Sequence, residues 1–278
     1  MRLNSRPSLL FLLTIVTAAG MARPAHAQSF IDSWQDRVNR TQAEQPRWVT
    51  PLVTVTPRLE QELRTDFTRQ ITPAHTDTWT YGNGKGLELI PARRIELLFN
   101  VPPYIQHNTA TGKDGFGDTT FLFKYRIYAS NEKNNNAILT AFLGGSIPTG
   151  SYSNGSTDAS VTPTLAGGKG IGPFDVQTTL GATLPVANSN KLGRPIAWNT
   201  ALQWKADPHW WPEVEFNSTF YKGGPNDGKT QNFVTPGIVA RYPLHHRLGV
   251  TLGAGIQIAT SEFHTYDHGL TFTARMPF

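Results

Sequence analysis

The side chains of this chain best suited to chemistry are charged ones that recur two residues apart. Arg58, Glu60, Glu62 and Arg64 form one run, Arg94 and Glu96 a second, Lys124 and Arg126 a third, and Glu213 and Glu215 a fourth. Asp175, Lys205, Arg241 and Arg275 stand singly in similar alternating surroundings. On a β-strand residues i and i+2 point the same way, so each run makes one charged face. Such faces, carrying both signs and spread over the chain, can line a wet lumen and pair across it. That chemistry is electrostatic rather than catalytic.

Other candidates for chemistry are weaker. His264 and His268 have a metal-ligand spacing only on a helix; on a strand they stand ~13 Å apart, so they read as a rim, and His245-His246 as a short turn. Ser218 faces outward with no His near it in sequence, and no Gly-x-Ser-x-Gly elbow occurs. The glycine-rich "GGKGIG" lacks the strand and Ser/Thr-tipped helix of a phosphate loop and reads as a turn over 167–173. The chain has no Cys, which excludes disulfides, thiolate chemistry and Cys-ligated zinc. These features point away from an enzyme and imply no cofactor and no metal.

The elements that carry the charged face are strands whose other face is apolar. In 248–258, Leu248, Val250, Leu252, Ala254, Ile256 and Ile258 alternate with glycines and polar residues. The last stretch alternates Leu270, Phe272, Ala274, Met276 and Phe278 with Gly269, Thr271, Thr273 and Arg275. Twelve such segments are counted, starting with 57–67, 79–89, 94–101, 118–128, 137–147 and 158–165, with turn signals between them. The fold predicted is all-β: a transmembrane antiparallel up-and-down barrel over 51–278, its oily row toward lipid and its ionic row toward the axis. An even count brings both barrel ends to the periplasmic side. A sheet in hydrocarbon must close, because no backbone N–H can be left unpaired there. Aromatics also gather at strand ends. Trp204, Trp210, Trp211, Tyr242 and Phe278 mark one girdle; Trp79, Tyr104, Phe116, Phe220, Phe233 and Tyr266 mark the other. With only 38% hydrophobic residues the composition still suits such a barrel, since lipid meets half of each strand.

Residues 1–27 read as a signal peptide: Arg2 and Arg6, an apolar core over 9–19, and an A-x-A site at Ala25 and Ala27. Its basic residues supply part of the formal net charge of +5, which is therefore weak support for a nucleic-acid partner. Residues 28–50 contain Ile31, Trp34 and Val38 at helical spacing, with Ser29 able to cap. This short helix is either a loosely ordered periplasmic tail or a plug in the lumen.

Several short motifs carry a resemblance. The strand "GFGDTT" with Lys124 and "YR" after it, the "IPTG" rim at Pro148, the "GSTD" strand start at Asp158 and the terminal Phe278 are similar to the MetA-pathway phenol-degradation family of outer-membrane proteins. The likeness runs roughly from residue 87 to 278; the first strand and the N-terminal segment carry none of these motifs. The resemblance implies passive uptake of small hydrophobic, often aromatic, compounds through the outer membrane. It also implies contact with outer-membrane lipid and lipopolysaccharide, and a terminal Phe278 read by the barrel insertion machinery. A non-conducting structural or adhesion barrel, and an outer-membrane lipid hydrolase, are the other readings.

Pro102, Pro148 and Pro185 end three outward-running strands, because proline has no N–H for the ladder. They either stop strands at the rim or form a weak lateral seam through which an apolar solute leaves sideways. Asp118 and Asp158 beside glycines read as turn caps at the rim, with a divalent-cation or lipopolysaccharide contact as the alternative.

Overall fold

The structure, a computed structural model, describes residues 25–82, 85–245 and 247–278. The expected signal core lies outside the described residues. The chain forms a closed antiparallel barrel of 12 strands with a short N-terminal helix. Helix α1 covers Ala25–Ala43. The barrel strands are β1 (Glu62–Ile71), β2 (Asp77–Tyr81 and Gly86–Ala92), β3 (Ile95–Asn100 and Tyr104–His107), β4 (Gly115–Phe116 and Thr119–Ser130), β5 (Ala137–Ile147) and β6 (Ser160–Ile171). They continue as β7 (Phe174–Ala182 and Leu184–Pro185), β8 (Ile196–Trp204), β9 (Trp210–Phe220), β10 (Thr230–His245), β11 (Leu248–Ala259) and β12 (His268–Pro277). A one-turn helix, α2 (Ser189–Leu192), sits between β7 and β8.

Each strand pairs with its sequence neighbours, and β12 returns to β1 over its whole length, from Glu62 opposite Pro277 to Ile71 opposite His268. The sheet therefore has no free edge along that closure. One end carries α1 and short turns, such as 93–94 and 172–173; the other carries longer loops, such as 148–159 and 260–267.

Period-two alternation decides the two faces. Phe99, Leu165, Leu180, Trp198, Phe216, Leu252 and Phe272 are exposed on the outer wall. Glu96, Lys124, Gln177, Gln203, Glu215 and Arg275 are buried inside. An outer belt this apolar around the whole barrel is a surface made for hydrocarbon.

The first strand begins at Glu62, later than the sequence pattern suggests. Arg58 and Glu60 are buried but precede the wall. They belong to a segment, 44–61, that runs through the interior without helix or strand hydrogen bonding. The expected glycine-rich turn is likewise shorter: residues 167–171 are the end of β6, and only Gly172-Pro173 turns the chain.

Candidate functional site

The interior is built from segment 44–61 meeting the ionic row of the wall. Pro46, Pro51 and Pro57 keep this segment from regular structure, so its backbone groups need other partners once buried. The wall supplies them. Glu213 Oε1 accepts the Leu52 N–H at 2.9 Å, and the two carboxylate oxygens of Glu215 accept Val53 N–H at 2.7 Å and Thr54 N–H at 2.6 Å. Arg64 Nη2 donates to Leu52 O at 3.0 Å, Arg275 to Thr50 O and to Pro51 O, Lys124 to Arg58 O at 3.2 Å, and Thr140 Oγ1 to Pro57 O at 2.6 Å. Glu96 Oε2 accepts the Glu60 N–H at 2.5 Å. Gln45 clasps the two limbs, donating to Leu59 O at 2.8 Å and accepting Leu59 N–H at 3.0 Å. The expected pairing of charges across an open lumen is thus largely replaced by charge-assisted bonds to an inner chain. The ion pairs that do form inside are Arg58–Glu60 at 3.0 Å, Arg64–Asp66 at 2.8 Å and Lys124–Glu96 at 2.8 Å.

Apolar side chains seat the segment. Val49 and Leu52 pack with Trp211 and Val239 in a buried cluster. Inward glycines make the room: a Cβ on Gly237, Gly253 or Gly255 would lie 2.4–2.7 Å from Leu52, and one on Gly168 would lie 2.5 Å from Trp48. Alternating glycines on the inner face of β6, β10 and β11 are the sequence signal for these seats, and periodicity alone does not reveal it.

Helix α1 lies at the short-turn end. Arg126 holds its C-terminus, donating to Thr41 O at 2.7 Å and to Glu44 Oε2 at 2.8 Å. Arg37 and Thr41 bond the carbonyls of Ile90 and Arg93 in and beside the β2–β3 turn. Arg247, in the β10–β11 turn, bonds Asn39 at 2.7 Å and the Phe278 carbonyl at 3.2 Å.

The wall is interrupted at one height on three neighbouring strands. β2 breaks after Tyr81, β3 between Asn100 and Tyr104, and β4 between Phe116 and Thr119. Along β1, Phe67 pairs with Tyr81 and Leu63 with Leu87, so four steps on β1 face six on β2. Among the described residues, Gly82 N–H to Asp66 O and Gly117 N–H to Pro103 O, each 2.8 Å, bridge the gap. An apolar recess of about 480 Å³ opens on the outer wall here, lined by Leu63, Tyr81, Val101, Pro102 and Met276 and reaching Arg64, Lys85 and Arg275.

A family model described as "Putative MetA-pathway of phenol degradation" matches residues 47–273. The chain belongs to that family. Among solved structures it resembles an outer membrane channel from Pseudomonas putida F1, with 15% identity and a TM-score of 0.55, covering 83% of this chain and 100% of that one. A NanC porin is also similar, with 9% identity and a TM-score of 0.49 over 77% of this chain and 98% of that one. No curated protein sequence matches. The Pseudomonas putida channel shares the barrel fold. For this member of the phenol-degradation family, the match begins within the inner segment and ends at Thr273, midway along β12.

The remaining sequence candidates fall as follows. Glu62 and Arg64 lie buried on β1, and Arg241 is half-buried at the short-turn end. Arg94 and Lys205 are exposed rather than inside, because each sits in a short turn beyond the wall; Lys205 lies over the Trp211 ring at 5.6 Å. Trp211 points inward, as do Phe233 and Tyr266, which stack with centroids 4.4 Å apart; these three leave the expected girdles. Pro102 falls in the β3 break. Pro148 follows β5, and Pro185 pairs with Ser160, so β4 and β6 separate the three prolines. Pro163 and Pro236 face outward within strands that continue past them.

Asp118 caps the 148–156 loop, its two oxygens accepting Gly150 N–H at 2.9 Å and Ser156 N–H at 2.7 Å. Asp158 accepts from Asn188 and Thr157, which hold its carboxyl below the usual range. Among the described residues no cluster of three metal-ligating side chains occurs. His264 instead binds Ser261 O and Asp267 Oδ1, each at 2.9 Å, which raises its pKa. The cross-strand neighbours of Ser218 are Trp198 and Asn232.

Proposed function

We propose that the protein is an outer-membrane channel for passive uptake of small hydrophobic or aromatic compounds. The short turns and α1 would face the periplasm and the long loops the outside, as in bacterial barrels generally. The signal segment would direct export, Phe278 would mark the chain for barrel insertion, and lipid and lipopolysaccharide would surround the wall.

The observation that carries the reading is the coincidence of a filled lumen with a broken wall. Segment 44–61 occupies the polar axis, while the apolar recess sits where three neighbouring strands lack continuous ladders. An apolar solute gains nothing from a charged axis. It would leave sideways, at the interruption around Pro102. Pro148 and Pro185, on the strands beyond, would contribute less than Pro102 does. The inner-row residues Arg64, Glu96, Lys124, Glu213, Glu215 and Arg275 would then hold the inner segment rather than contact the solute.

The filled lumen also supports the reading of a non-conducting structural barrel, and one experiment separates the two. Toluene uptake is compared in intact cells with and without the protein, since a lipopolysaccharide leaflet is the barrier to such solutes. Faster uptake with the protein is expected; identical uptake favours the structural barrel.

A further inference from the structure

We propose that a second cavity, between the inner segment and β10–β12, binds a small organic acid that carries a hydroxyl group. The cavity has a volume of about 210 Å³ and opens toward the short-turn end beside α1. Arg58, Glu60, Glu62 and Arg241 supply its unmatched polar atoms, and Val49 and Leu248 its apolar wall. It is separate from the apolar recess.

Its other arginines are already occupied. Arg275 donates to the carbonyls of Thr50 and Pro51, and Arg247 to Phe278 O and to Asn39. Arg241 is different: among the described residues its guanidinium has no hydrogen-bond or ion-pair partner. Arg58 is engaged through Nη1 by Trp48 O and Glu60, and only its Nε is buried without an acceptor, while Glu60 Oε1 and Glu62 Oε1 are both buried without a hydrogen-bond donor. The free Arg241 guanidinium, one remaining Arg58 N–H and the carboxylates of Glu60 and Glu62 thus meet around one small space. A guanidinium fork fits a carboxylate, and an unsatisfied carboxylate oxygen asks for a donor. A ligand matching both has an anionic end for Arg241 and Arg58, a hydroxyl for Glu62, and an apolar body for Val49 and Leu248. The inference goes beyond the channel reading: an anion in this cavity occupies the polar axis rather than the sideways route, and the site does not depend on that route.

The test is calorimetric titration of the full-length, detergent-purified protein with 4-hydroxybenzoate, benzoate and 4-hydroxybenzyl alcohol. Saturable binding of 4-hydroxybenzoate is expected, weaker binding of benzoate, and none of the alcohol. Arg241→Gln should weaken 4-hydroxybenzoate by about tenfold or more. Glu62→Gln should erase the difference between 4-hydroxybenzoate and benzoate. Heat-modifiable gel migration of each variant shows that the barrel is closed. Absence of saturable binding at millimolar ligand, or binding indifferent to Arg241→Gln in a closed barrel, overturns the proposal and leaves a water-filled cavity. Toluene uptake is scored separately, so its loss would count against the channel and not against this site.

Discussion

Lys124 and Glu96 meet at 2.8 Å, and each also holds the inner segment, at Arg58 O and at Glu60 N–H. Both side chains are essentially unexposed, at 1% and 0%. Removing one partner strands a buried charge, which costs about 3–5 kcal/mol, whereas replacing both with apolar residues costs far less. Lys124→Met should therefore lower stability by about that amount in urea unfolding of the detergent-solubilised barrel, and the double variant Lys124→Met/Glu96→Leu should recover most of it. Equal losses in single and double variants would contradict the pairing. At the long-loop end, hydrogen bonds to Ser261 O and Asp267 raise the pKa of His264. A raised folded-state pKa contributes stability that is complete below about pH 6.5 and fades as pH rises through the folded value. Amide exchange in the 260–267 loop should accelerate over that rise, and His264→Gln should remove the dependence.

The segment between α1 and β1 is the element that sequence patterning handles least well. Its stretch 57–61 alternates as a strand does, because any extended chain repeats every two residues, with or without a ladder beside it. Arg58 and Glu60 therefore share the rhythm of β1 while belonging to the inner segment. The wall itself was legible because lipid and an ionic interior impose opposite demands on successive residues, as in β11 and β12. The occupant of the interior was not, since its contacts are backbone groups met by Glu213, Glu215 and Arg275 from distant strands. Only the inward glycines opposite Leu52 and Trp48 advertise it. Arg94 and Lys205 fall outside the lumen for a simpler reason: they continue the inward parity just past the point where the wall ends. If Glu215 holds the segment through Val53 and Thr54, Glu215→Ala leaves two N–H groups unmatched at about 1–3 kcal/mol each. Planar-bilayer recordings should then show larger or more frequent ion-conducting openings than the unaltered protein, with the barrel still closed by gel migration.

As a whole molecule, the protein separates two environments by one sheet, and its interior is as full as its exterior is oily. The likeness to a solved outer membrane channel establishes the barrel; the proposed sideways route rests on the interrupted strands β2–β4 and the recess beside them. On that proposal, ion flow along the axis and apolar flow through the wall would be different routes that respond to different substitutions. Restoring the missing N–H groups with Pro102→Val/Pro103→Val lets β3 bond its neighbours across the break. The decisive measurement is toluene uptake by intact cells carrying this variant, alongside its ion conductance in a planar bilayer. Uptake is expected to fall to the level of cells without the protein while conductance stays unchanged. Unchanged uptake in a correctly inserted variant would contradict the sideways route.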